Sequence, residues 1–336
     1  MSYFSKDNLS ASEHKRIFER EIKPTELEGL EPVLRPKMFM LGGQPGAGKS
    51  GVRNAITKQP QFKNALTVDP DELRTYHPRY LQFVKENPDS AAGRVHYDAS
   101  KWAQELREVA VDLKLNIILD TTLGGNPSSS VSQAKHASKA GYDVEVHVAA
   151  VSMEVSRQSV RKRYEDAHEA YAQDPDNNPP PRTVPVAKQQ ETFDNIPESI
   201  EKLAASGFVS RIRIANRGGE SLSDVSGKFA VKKDGGKTSK AALNKERTRP
   251  WTTREIQQFE DTNQQIEIKL QARIENEKMN PQERRKLTDQ LGELRSEGER
   301  VVDRKQKILD GKKSEFDDWV EWIAELKIEP PQVTII

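Results

Sequence analysis

Residues 41–56, LGGQPGAGKSGVRNAI, restrict what this chain can fold into more than any other stretch. Gly43 to Ser50 fits G-x-x-x-x-G-K-[ST], directly after the apolar run MFML (38–41) and directly before a helix-forming segment. Its glycines let successive backbone N–H groups point inward around a phosphate, and the helix that follows adds the partial positive charge of its N-terminus. A loop of this kind works only between a strand and a helix, so it calls for an α/β layer. Gly43, Gln44, Pro45, Gly46, Ala47, Gly48, Lys49, Ser50 and Gly51 are the candidate nucleotide-binding residues. Lys49 is placed to reach the β- and γ-phosphates, and the Ser50 hydroxyl to ligate Mg²⁺. The loop implies a nucleoside triphosphate and leaves the acceptor open.

The flanking pattern agrees with that layer. Short apolar runs at 38–41, 65–68, 116–120, 144–151 and 209–215 predict strands. Helical spacing over 49–58, 98–114, 128–140 and 154–171 fills the gaps between them. Alternation of this kind predicts a mostly parallel sheet flanked by helices. Residues 1–35 form a charged N-terminal helical segment, residues 36–218 the α/β domain, and residues 219–249, rich in Gly, Ser and Lys, a linker or hairpin. Residues 250–336 read as a charged helical appendage. There Phe259, Ile266, Leu270 and Ile274, then Leu287, Leu291 and Leu294, then Phe316, Val320 and Ile323 recur at helical intervals, with Pro281 opening the second helix and Pro330 ending the last. Three helices packed as a hairpin or small bundle are expected.

Composition narrows the function classes. With a net charge of +1 the chain lacks an overall electrostatic footprint for nucleic acid or an anionic membrane. It has no cysteine, which excludes disulfides, thiolate zinc sites and a cysteine nucleophile and fits the cytoplasm. The N-terminus resembles no signal peptide, and no stretch approaches the ~20 apolar residues of a membrane span.

About twenty residues past the loop stands LTVDPDELRTYHPRY, which places Asp69 and Asp71 at the carboxyl end of a strand, where ligands of open α/β sheets gather. A carboxylate there can accept the proton of a hydroxyl attacking the γ-phosphoryl group, while one of the two acids caps the helix that follows. Asp120, which ends NIILD, has the position of an acid that holds Mg²⁺ with Ser50. The segment 91–106 leads into the helix before that strand, so His96, Asp98 and Glu105 are candidates to line the acceptor side. Arg74, His77 and Pro78 are expected to shape the turn after Asp71.

The ordered landmarks GGQPGAGKS, VDPDELRTYHP, NIILDTTL, KRYE and PPPRTVP resemble the zeta toxin family of bacterial toxin–antitoxin systems over about residues 36 to 218. The resemblance implies a P-loop kinase that uses ATP or GTP with Mg²⁺ to phosphorylate the 3′-hydroxyl of UDP-N-acetylglucosamine, which starves cell-wall synthesis. It also implies a small helical antitoxin as partner. Carried onto this chain, the family's catalytic base falls on Asp71, its loop lysine on Lys49, and its phosphate-clamping arginines on Arg163 and Arg182. Thr122 falls where the family touches the sugar nucleotide, and Asn216 and Arg217 fall near the adenine side. The chain has Asp-Thr-Thr where other members carry Glu-Gly-Thr, so a same-fold kinase of another hydroxyl (a dinucleotide, nucleoside or antibiotic) stays open. So does an ATP-gated binding module without chemistry, although a pure switch has no need of Asp71 with two arginines.

Overall fold

The computed structural model describes residues 6–175, 178, 181–276 and 279–325, the side chains of 88, 89 and 312–325 excepted. The chain divides into two compact units, Met1–Thr248 and Arg249–Ile336.

In the first unit six strands build one sheet: β1 (Lys37–Gly42), β2 (Leu66–Val68), β3 (Ile117–Asp120), β4 (Asp143–Ala150), β5 (Arg211–Asn216) and β6 (Ser221–Ser226). Their order is β2-β3-β1-β4-β5-β6, parallel throughout except for β6, which pairs antiparallel with β5. The strands near the centre are apolar runs because both faces are covered. On one face Met38, Met40, Val144 and Val146 meet Trp102, Leu106 and Ile200 in the main core. These come from the helices His96–Asp112 and Val186–Ala205. On the other face Phe39, Leu41 and Ile118 pack against Ile56 of the loop helix, Lys49–Thr57, and against Phe62. Each such fully buried Ile, Leu or Phe contributes about 1.5–3 kcal/mol. Strand order reverses about β1, so the chain leaves β1 at the crevice where ligands of such sheets bind.

The N-terminal helix Ala11–Ile17 continues through a π-turn, Phe18–Ile22, and buries Ile17, Phe18 and Ile22 in the main core. His14 fastens it, with Nδ1 2.7 Å from buried Asp98 and its ring stacked on Trp102 at 4.9 Å.

Residues 219–249, expected to be a linker or hairpin, hold more structure than that. The hairpin is present as β5–β6, but the rest is helical, ending in Gly236–Thr248, and it buries Val231 and Leu243 in the main core. The stretch is therefore an integral part of the sheet unit rather than a loose tether.

The second unit is a helical hairpin of Thr253–Ile274 and Pro281–Glu325. Thr252 and Glu255 form a reciprocal capping box at its start. Ile266 and Leu270 pack on Leu287, Leu291 and Leu294, and Arg295 reaches Glu267 at 2.8 Å. The second and third helices expected from the sequence are one helix of 45 residues. The side chains of Phe316, Val320 and Ile323, and the stop at Pro330, lie outside the described residues. Among the described residues no helix is long and apolar enough to cross a membrane.

Candidate phosphoryl-transfer site

The loop after β1 is shaped by what surrounds it. Gly46 and Gly48 take positive φ, 80° and 93°, where a side chain is strained. A Cβ on Gly46 would stand 2.4 Å from the Ser156 carbonyl, so only glycine fits. Ser156 Oγ donates to the Pro45 carbonyl at 2.6 Å, and Gly43 N donates to the Thr122 carbonyl at 3.1 Å. The loop helix begins at Gly48 with no side-chain cap, which leaves its first N–H groups to an anion. Lys49 Nζ lies 3.4 Å from the Gly43 carbonyl and 3.8 Å from Asp120 Oδ1.

The short helix Pro70–Leu73 and its N-cap set the two acids of DPD in different surroundings. Asp69 is the cap, and its carboxylate accepts from Asp71 N at 2.8 Å. Burial pushes its pKa up to about 6, and the charges of Asp120 and Asp71 add to the rise. Asp120 is raised too, first by burial, with Lys49 and Arg53 opposing. Asp71 is 45% exposed, and its Oδ1 is held 2.5 Å from Arg74 Nη2. Arg182 Nη1 donates to the Asp71 carbonyl at 3.2 Å. Arg163 lies within electrostatic reach of Arg182, Asp71 and Asp69. Three carboxylates, one lysine and three arginines thus share one end of the sheet. Such a set can cradle phosphates, spread their charge and take up a proton.

The other expected residues divide. His96 stands exposed at the start of its helix, within electrostatic reach of Arg74 and Asp71. Glu105 does not join them, since its carboxylate lies 3.4 Å from His14 Nε2. Nine positions on from His96 is about two and a half helical turns, which is the opposite side of the helix. Asp98 is likewise drawn off to His14. Thr122 supports the loop through its carbonyl, while its hydroxyl accepts from Gly124 N at 3.2 Å. Ser50 is exposed one residue into the loop helix, and Gly51 N donates to the Gly48 carbonyl at 2.9 Å. The Arg217 side chain passes over Gly48 and donates to Ser159.

Arg74 lies in the turn after Asp71, as expected, but sequence reasoning missed that its side chain pairs with the Asp71 carboxylate. Its i+3 spacing from Asp71 on a helical turn was the available signal. It also missed Arg247, which reaches Gln44 of the loop and gave no signal at all.

A cavity of about 600 Å³ follows the polar strip that Glu145, His147, Arg211 and Arg213 make on β4 and β5, and it includes none of Asp71, Arg163 or Arg182. Its charges close on each other, with Lys37 Nζ 2.5 Å and His147 Nε2 3.0 Å from Glu145. Burial alone would raise Glu145, but the hydrogen bonds from His147 and Lys37 outweigh it and bring its pKa down to about 2. This strip pairs its own charges, and the cavity along it holds neither Lys49 nor any of Asp69, Asp71 and Asp120.

A family model described as Zeta toxin matches residues 24–225. Relatives include Toxin zeta of Streptococcus pyogenes, 28% identical over 244 residues, which are 73% of this chain and 79% of that protein. Toxin PezT of Streptococcus pneumoniae serotype 4 is 27% identical over 209 residues, 61% of this chain and 78% of that one. A solved structure from the characterization of the PezAT chromosomal toxin-antitoxin system of Streptococcus pneumoniae has a TM-score of 0.62 at 22% identity. It covers 80% of this chain and 98% of that chain, a likeness of fold.

Proposed function

The chain belongs to the zeta toxin family, and from that premise we propose that it is a cytoplasmic kinase which moves the γ-phosphoryl group of ATP or GTP to an alcohol of a nucleotide sugar. The 3′-hydroxyl of UDP-N-acetylglucosamine is the foremost acceptor. In this reading the protein is the toxin of a toxin–antitoxin pair and is restrained by a small helical antitoxin. The gathering of Asp71, Arg163 and Arg182 opposite the Lys49 loop carries the proposal.

The loop N–H groups and Lys49 hold the β- and γ-phosphates. Asp71 accepts the proton of the acceptor hydroxyl as its oxygen bonds to the γ-phosphorus, while the bond from that phosphorus to the β-phosphate oxygen breaks and the diphosphate leaves. Arg163 and Arg182 neutralise the charge that spreads over the transferring group with planar, two-pronged donors. Arg74 holds Asp71 in place between turnovers and must yield it as the hydroxyl arrives.

The carboxylates fit a divalent cation, since burial and the charge of Asp71 raise the proton affinity of Asp69 and Asp120, and the charge of Asp120 adds to the rise at Asp69. Among the described residues no group of three or more His, Cys, Asp or Glu could hold a metal. Mg²⁺ suits that pattern because it takes one or two carboxylates and completes its shell with phosphates and water. Ser50 and Asp120 would hold it, and it would neutralise charge on the β- and γ-phosphates.

The test is incubation with Mg-ATP and a panel of nucleotide sugars, dinucleotides and nucleosides, read by mass spectrometry. A phosphorylated UDP-N-acetylglucosamine that disappears in Asp71→Asn is expected. Phosphorylation of a different panel member alone would replace the acceptor. Tight ATP binding with no product from any of them would replace catalysis by a nucleotide-gated switch.

A further inference from the structure

Gln44, the second residue of the phosphate-binding loop, is 0% exposed, and both ends of its side-chain amide are engaged. Nε2 donates to the Val151 carbonyl at 2.9 Å, and Oε1 accepts from Arg247 Nη2 at 3.4 Å. One partner only accepts and the other only donates, so together they fix which way the amide faces.

Arg247 comes from 203 residues further along the chain, beyond the end of the family match at residue 225. It is 6% exposed, its guanidinium lies 3.7 Å over the Phe193 ring, and Nη1 donates to the Phe193 carbonyl at 2.9 Å. Its Nε is buried with no hydrogen-bond partner. Burial pulls the pKa down to about 10, which still leaves a cation at neutral pH. A buried, incompletely satisfied charge is a poor way to stabilise a core, where an aliphatic side chain over Phe193 would serve as well. What an aliphatic chain cannot do is donate to Gln44 and place positive charge behind a loop built for anions.

We infer that Arg247 is a positioning residue for the phosphate-binding loop: by clamping Gln44 it keeps the loop N–H groups convergent, and its charge favours the anion they receive. That the anion is a nucleotide phosphate rests on the function proposed above, whereas the clamping of the loop does not.

The experiment uses full-length Arg247→Met with two readouts. One is amide hydrogen exchange of residues 42–50 without nucleotide, and the other is ATP affinity by calorimetry. Losing a charged donor should speed loop exchange and weaken ATP binding by about tenfold each, with exchange in β4 and β5 unchanged. If either readout stays at the wild-type value in a folded variant, or if exchange rises uniformly across the sheet, the inference is overturned and Arg247 merely packs on Phe193. Should Arg247→Met fail to fold, Arg247→Lys keeps the charge, loses the fork and is judged by the same criteria. A wild-type protein that binds no ATP sinks the nucleotide reading alone, and loop exchange still decides the part played by Arg247.

Discussion

Asp69 and Asp71 stand two residues apart in different surroundings. Asp71 is half exposed, and in the proposed reaction it matters only when a hydroxyl attacks, so Asp71→Asn should bind ATP within about twofold of wild type and lose turnover by ~10²–10⁴. Calorimetry beside single-turnover kinetics separates the two effects, and an equal loss of ATP affinity would make Asp71 structural. Asp69 is a half-buried cap whose folded pKa of about 6 stands above the ordinary 3.8. A raised pKa means that the folded protein holds the proton more tightly than the unfolded chain does. The associated stability is therefore full below pH 3.8 and is lost as pH rises through about 6. Asn caps as well as Asp and never ionises. Asp69→Asn should match wild type near pH 4 and exceed it at pH 7.5 by up to roughly 3 kcal/mol without Mg²⁺ or nucleotide. Thermal melts from pH 4 to 8 test this, and parallel curves would mean that Asp69 is not strained by its charge.

Among the elements, those legible in the sequence were the ones whose signal is contiguous. β1, β3 and β4 are apolar runs because both their faces are covered, and the loop is a fixed pattern between two of the simplest elements to read. Lys49 and Asp71 were legible for the same reason. Helix Val186–Ala205 was not, because Pro197 lies inside it and Gln189, Thr192 and Ser199 interrupt its apolar face. β6 has the polar sequence SLSDVS, as an edge strand with one packed side can. Glu105 was placed at the acceptor by nearness in sequence, which says nothing about the face of a helix. The missed helix is held closely to the site: a Cβ on Gly124 would come within 2.5 Å of Thr192 Cα. Gly124→Ala must push the helix away from the turn after Asp120, and overpacking of this kind costs about 1–3 kcal/mol. A chemical-denaturation midpoint equal to wild type would show that the helix can shift freely.

At the scale of the whole molecule, the question is where the catalytic unit ends. The motifs alone place its boundary at residue 218, yet the compact unit runs to Thr248. Cutting at 218 removes β6, leaving β5 with an unpaired edge, and strips Val231 and Leu243 from the main core. It also removes Arg247 and with it the clamp on Gln44. A chain of residues 1–248 keeps all three. We therefore expect residues 1–248 to be soluble, to melt cooperatively and to bind ATP. Residues 1–218 should aggregate or melt without a sharp transition, because burying two aliphatic side chains and pairing one strand together contribute several kcal/mol, a large share of the ~5–15 kcal/mol that keeps a domain folded. Circular dichroism melts and calorimetry of the two fragments decide the matter. If residues 1–218 melt as sharply as residues 1–248 and bind ATP as tightly, β6 and the helix after it are dispensable to the kinase unit, and the packing they show adds nothing to its stability.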